Sequence, residues 1–154
     1  MASRMKPSQT GILGNSLRWI SIALSILGAA DAIYLLILKY SQVEAMCIGN
    51  HGCINVNNSV YSMIYGIPVS LLGLLAYLAI TSILFMEPRW KLAKLRGPLA
   101  VFGLSLTGAL FSAYLTYLEY FVIHAVCPFC IASAVLISLI FILSIIRLVR
   151  QPYL

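Results

Sequence analysis

The sequence predicts an all-α integral membrane protein, a four-transmembrane-helix bundle with an outward loop between helices 1 and 2. Three observations carry that prediction. The 154 residues are 62% apolar, with a mean hydropathy of +0.99. Only 9% are charged, against about 25% in an average soluble domain. Four apolar runs, near Leu17–Tyr40, Gly66–Phe85, Leu99–Ile123 and Pro128–Leu148, each reach the roughly 20 residues needed to cross a bilayer.

The basic residues then orient the spans. Arg4, Lys6 and Arg18 precede or open the first span, Arg89, Lys91, Lys94 and Arg96 fill the second connection, and Arg147 and Arg150 close the last span. Lys39 alone falls on the other side. Such sorting follows the positive-inside rule, so the net charge of +6 marks topology and not a nucleic-acid partner. Both termini and the loop Glu87–Pro98 are expected to be cytoplasmic. The loop Ser41–Tyr65 and the short link around His124 are expected to face outward.

Taken in order, residues 1–16 read as a disordered cytoplasmic tail, and residues 17–150 as one redox domain of four helices. The first apolar run is too long for a signal-peptide core of about 7–15 residues, so it is read as an uncleaved helix. It contains Asp31, expected either to be a hydrogen-bonded structural carboxyl or to deliver protons to a cofactor. The outward loop, about 41–65, carries Cys47 and Cys53 around Gly49, Asn50 and Gly52, which favour turns. His51 lies between the two cysteines and reads as a solvated polar residue. Tyr61 and Tyr65 suit a membrane interface. Gly66-Ile67-Pro68 is expected to open the second span, with Pro68 in its first turn. The cytoplasmic loop, about 87–98, carries Trp90 as an interfacial anchor, and Gly97-Pro98 is expected to break it and start the third span. Glu119, near the outer end of that span, reads as a snorkelled or paired carboxyl.

Two stretches repeat at a constant offset of 80. Leu24-Ser25, Gly28-Ala29 and Tyr34-Leu35 recur as Leu104-Ser105, Gly108-Ala109 and Tyr114-Leu115, and Cys47 aligns with Cys127. Two helices of like design therefore rise to the outer face and end at a cysteine.

The fourth run opens with Cys127-Pro128-Phe129-Cys130. Proline is favoured at the first helical position. Cys127 then sits at the positive end of the helix dipole, where a thiolate is stabilised. Cys130 follows one turn deeper, about 5 Å by the helical rise. All four cysteines fall on the outward side, where disulfides persist. Zinc ligation by the cysteines with His51 and His124 fits poorly, because no ligand-bearing domain surrounds them. Static disulfides explain one pair, but not a dithiol set at the buried start of a spanning helix. A redox relay uses both pairs: an outer pair exchanges with a soluble dithiol protein, and an inner pair receives the electrons. A membrane quinone, which takes two electrons and two protons, is the acceptor suited to that depth. His124 reads as an interfacial residue or as a charge that lowers the Cys127 thiol pKa.

The loop pair Cys47/Cys53, Ser59, Tyr65-Gly66-Ile67-Pro68, Gly73-Leu74-Leu75-Ala76-Tyr77 and Cys127-Pro-Phe-Cys130 together resemble the vitamin K epoxide reductase family, most closely its bacterial members. The resemblance covers about Gly28 to Ser144. It implies that Cys47 meets a thioredoxin-fold partner, that Cys53 passes electrons to Cys127 through a mixed disulfide, and that Cys130 is the thiolate beside the quinone. It implies that Ser59 caps the quinone pocket. The quinone is a ubiquinone, menaquinone or phylloquinone, which the residues do not distinguish. Animal members carry a tyrosine four residues after the inner pair, where this chain has Ala134, so disulfide formation is favoured over reduction of vitamin K epoxide. Many bacterial relatives carry a fused thioredoxin-like domain; here the partner is expected to be a separate extracytoplasmic protein. The expected location is the bacterial plasma membrane. The competing readings are a quinone or vitamin K epoxide reductase and a non-enzymatic scaffold with structural disulfides.

Overall fold

The computed structural model describes residues 7–41 and 52–150, with side chains over 11–41 and 55–150. Helix α1 spans Pro7–Ser41, the short α2 spans Gly52–Asn57, α3 spans Val69–Met86, α4 spans Lys91–Leu118 and α5 spans Pro128–Arg150. The four longer helices are each long and apolar enough to cross a membrane. The fold is therefore the all-α membrane bundle that composition predicts. Large apolar side chains such as Leu27, Leu75, Leu110 and Ile142 are exposed on the outer faces of the bundle, as lipid contact requires and water forbids at this density.

The helices form a closed ring in which α1 packs on α3 and α5, and α4 packs on α3 and α5. The core draws on all four: Ile22 and Ala29 from α1, Tyr77, Ile80 and Leu84 from α3, Val101 from α4, and Ile137 and Ile140 from α5. In lipid the hydrophobic effect does not drive helices together, so close approach and hydroxyl bonds hold them. The 80-residue repeat is built into this packing. Ser25 meets Thr81 across α1 and α3 at 2.7 Å, and its repeat mate Ser105 meets Ser144 across α4 and α5 at 3.4 Å. Gly28 admits the Tyr77 ring, and Gly108 admits Ile137.

Three boundaries differ from expectation. Residues 7–16 of the expected tail are helical, because α1 starts at Pro7. Once the long apolar helix is nucleated, extending it costs little, and proline suits its first turn. Most of the expected loop 87–98 is helix as well. The link shrinks to 87–90, and Pro98 lies inside α4. The bond Pro98 cannot donate would go to the carbonyl of Lys94, an exposed residue whose carbonyl water can satisfy. Finally, Gly66 and Pro68 precede the second span. Met63–Ile64 and Ile67–Pro68 pair as an antiparallel hairpin, β1 and β2. Tyr65 and Gly66 both take positive φ, 49° and 82°, as a two-residue type I′ turn demands. Pro68 then caps α3.

At the end of the bundle rich in basic residues, Arg147 Nη2 donates to Glu87 Oε2 at 2.6 Å, with both side chains buried. A Cβ on Gly97 would stand 3.0 Å from Glu87 Cγ, so glycine lets α4 close over this pair.

Candidate functional site

The opposite end of the bundle holds Cys127 and Cys130. Pro128 is the first residue of α5, and Cys127 immediately before it is fully buried. The N–H of Cys130 donates to Cys127 Sγ at 3.4 Å, the geometry of a capping side chain at a helix start. Cys127 is packed with Leu35, Leu38, Tyr34, Val56 and Phe129. The Tyr34 and Phe129 rings stand 4.6 Å apart and seal that side. The buried sulfur thus sits against protein, and the half-buried Cys130 sulfur sits one turn further along.

Cys130 lies on the wall of a cavity of about 410 Å³. Leu35 of α1, Val69, Leu72 and Tyr77 of α3, Leu104, Phe111 and Leu115 of α4, and Ile137 of α5 make most of that wall apolar. Its roof comes from the end of α2 and the segment after it: Asn57, Ser59, Tyr61, Ser62 and Ile64. The roof is fastened to α1. Lys39 Nζ donates to the Asn57 carbonyl and to Ser62 Oγ, each at 2.7 Å. Asn57 Nδ2 donates to the Leu35 carbonyl at 2.9 Å. Ser59 donates its hydroxyl to the Val56 carbonyl at 2.7 Å and still lines the cavity. Ser70, in the first turn of α3, lines the cavity with its Oγ buried and without a hydrogen-bond partner among the described residues.

Glu119 is the functional candidate that sequence reasoning passed over. It is not snorkelled; it is 1% exposed. Its Oε2 accepts from the Cys127 N–H at 3.3 Å, its carboxyl also bonds the Cys130 side chain, and it lines the cavity. A π-helical turn over Glu119–Ile123 sets this position. The Glu119 carbonyl accepts from the N–H groups of His124 and Ala125, and His124 ends the turn at φ 51°. Such single π turns recur at functional sites. Two signals pointed here: a carboxyl within a membrane span, and the repeat, which sets Glu119 opposite Lys39. Both residues tie their own helix to the segment that follows.

The other expected residues are placed as follows. Cys53 lies on α2, one turn before Val56, which packs beside Cys127; its side chain is outside the described residues. Cys47 and His51 also lie outside them. Asp31 is not among the residues lining the cavity, to which α1 contributes Ala32 and Leu35, and its buried Oδ2 has no hydrogen-bond partner among the described residues. His124 is exposed.

A model of the vitamin K epoxide reductase family matches residues 19–145. The chain is also 32% identical over 121 residues to the thiol-disulfide oxidoreductase LTO1 of Arabidopsis thaliana. That alignment takes in 75% of this chain and 32% of the relative, so the chain spans about a third of that protein's length. The family match includes Ser59, the cavity wall, Glu119 and the Cys127-Pro-Phe-Cys130 turn, and this chain belongs to the vitamin K epoxide reductase family.

Proposed function

We propose that this chain is a membrane thiol oxidoreductase. It carries electrons from a thioredoxin-fold protein through Cys47 and Cys53 to Cys127 and Cys130, and on to a membrane quinone, in support of disulfide bond formation. The observation that carries the proposal is the position of Cys130: it opens onto an apolar cavity between the helices while Cys127, one turn away, is sealed from it by protein.

The residues present fit a quinone. The cavity wall suits a flat apolar ring, and the unpartnered Ser70 hydroxyl is a donor in search of an acceptor, as a ring carbonyl offers. An unbonded buried hydroxyl costs stability, and a ligand oxygen would remove that cost. Ser59 keeps oxygen lone pairs free while donating to the Val56 carbonyl. A bound quinone supplies an acceptor for two electrons and two protons.

The chain's own residues do the rest. Cys130 presents its sulfur to the cavity and Cys127 supplies the second sulfur of the disulfide. The wall formed by Tyr34 and Phe129 limits water at the sulfurs. Helix α2 brings the Cys53 backbone to the Cys127 side through Val56, which supports exchange in the order Cys53 to Cys127. The sorting of the basic residues in the sequence supports an extracytoplasmic site.

The test uses the purified, pre-reduced chain in detergent with a short-chain quinone. Cys130→Ala is expected to abolish quinol formation; full turnover by that variant overturns the proposal. The same variant, prepared instead with Cys47 and Cys53 as a disulfide, is expected to accumulate a Cys53–Cys127 crosslink on non-reducing mass spectrometry, as the Cys127 thiolate attacks Cys53 and expels the Cys47 thiol. A crosslink between other positions would overturn the order Cys53 to Cys127.

A further inference from the structure

We propose that Glu119 is the proton acceptor for Cys130, holding the thiol proton in a buried carboxyl–thiol pair and releasing it into the cavity. This rests on the reading of Cys127 and Cys130 as the redox dithiol. Three observations meet at this side chain. It bonds the Cys127 N–H and the Cys130 side chain at once. It is 1% exposed yet lines the cavity that Cys130 faces. Among the described residues no cation pairs with it, and the ion pair there is Arg147–Glu87.

An uncompensated carboxylate in such a place is costly, and sharing one proton with a thiol relieves the charge without bulk water. The groups around it allow this. The titratable side chains facing it are Cys127, just before α5, and Cys130 of α5, and Tyr77 of α3 and Tyr61 line the same cavity. Cys53 lies on the neighbouring α2. Lys39 of α1 is committed to Asn57 and Ser62. Tyr34 of α1 stacks on Phe129, and His124 and Tyr120 of its own segment are exposed.

The step balances. The Cys130 S–H bond breaks and its proton passes to the Glu119 carboxylate. The thiolate and the Cys127 thiol then join in an S–S bond, releasing the Cys127 proton and two electrons. A quinone takes the two electrons and both protons, the first of them returned by Glu119, whose carboxylate is restored. General base catalysis of this kind is worth about 10²–10⁴-fold.

Two measurements on the full chain test the proposal, and the first needs no quinone. The reduced protein is alkylated with iodoacetamide across pH, and the rate at Cys130 is read by mass spectrometry. The thiolate is the reactive form. In the wild type, the shared proton keeps the thiolate fraction constant, so the rate is expected to be flat across neutral pH. In Glu119→Gln the proton must leave to water, and the rate should rise about tenfold per pH unit, as loss of one proton requires. In the second measurement, Glu119→Gln should reduce short-chain ubiquinone or menaquinone at least about 10²-fold more slowly than wild type. A flat profile in Glu119→Gln, or a sloping one in the wild type, overturns the proposal. Should Glu119→Gln fail to fold, Glu119→Asp decides: a flat profile at lower rate supports the acid's role, and a tenfold slope overturns it. A wild type with a flat profile that reduces neither quinone overturns the proposed function while the carboxyl–thiol pair stands.

Discussion

Two glutamates are buried among the described residues, one at each end of the bundle, and they are treated in opposite ways. Glu87 meets a guanidinium at 2.6 Å. Glu119 meets two cysteines and, among the described residues, no cation. At the basic end, charge is cancelled by charge, and the pair locks the start of the α3–α4 link to the last turns of α5. At the cysteine end, the carboxyl is held only by an N–H and a thiol, both weaker partners. A bundle that needed only to stand would have paired both. On the proposed function, the difference sets the chemistry at one end and the fastening at the other.

The largest effect should come from breaking the fastening. Arg147→Met leaves Glu87 buried without its partner, and losing one member of a buried pair costs about 3–5 kcal/mol. Adding Glu87→Gln removes the stranded charge and should restore most of that stability, because an apolar or neutral substitute for a whole pair is often tolerated. Unfolding of the purified variants in mixed micelles measures both. A single variant as stable as the double variant would show that the pair does not fasten the bundle, and the contrast between its ends would collapse.

A smaller difference separates the two halves of the repeat. Gly28→Ala drives a Cβ into the Tyr77 ring. That ring is held by its hydroxyl, which bonds the carbonyl and hydroxyl of Ser133 at 3.0 and 3.1 Å. With a tethered ring to displace, overpacking should cost about 1–3 kcal/mol. Gly108→Ala meets Ile137 Cγ1 at 2.9 Å, a milder overlap than that at Gly28, so the cost should be lower. The hydroxyl pairs should rank the same way. Ser25→Ala breaks a 2.7 Å contact and Ser105→Ala a 3.4 Å one, with averages near 0.6 kcal/mol for such bonds in membrane bundles. Equal losses in both halves, by the same unfolding assay, would mean that the repeat is symmetric in energy as well as in sequence.

The sequence was legible where hydropathy and local rules decide. Four spans follow from apolar length, and Pro128 at the first position of α5 follows from the chemistry of helix starts. Gly97-Pro98 misled because a proline usually ends a helix, whereas here Gly97 serves the close approach to Glu87 and the carbonyl that Pro98 strands belongs to an exposed residue. Tyr65-Gly66 hid a hairpin turn inside what composition reads as the start of a span. For Glu119, read as a snorkelled or paired carboxyl, burial removes the snorkelled alternative. Its side chain reaches the cysteines only because a π turn lifts the chain after Leu118 and helix packing rotates that turn inward. Neither the turn nor the rotation is encoded in a periodic pattern. Cys130 was identified by its motif, but that it lines a cavity while Cys127 is fully buried depends on how the helices pack around them.

The smallest expected effect is the most discriminating. Glu119→Gln should change unfolding stability by less than about 1 kcal/mol. Glutamine keeps an oxygen that accepts from the Cys127 N–H, so the hydrogen bond survives, and a neutral bond is worth about 0.5–1.5 kcal/mol. The side chain is nearly isosteric, so the buried volume is unchanged. Removing a buried charge that no cation compensates offsets part of any loss. The comparison is therefore between two charge-removing changes of like chemistry at the two ends. Glu87→Gln strands the buried Arg147 guanidinium and should destabilise by several kcal/mol, while Glu119→Gln should leave the fold standing and slow only the dithiol. If Glu119→Gln unfolds the bundle as readily as Glu87→Gln, then Glu119 is a fastening like its counterpart, and the division of labour between the two ends is lost.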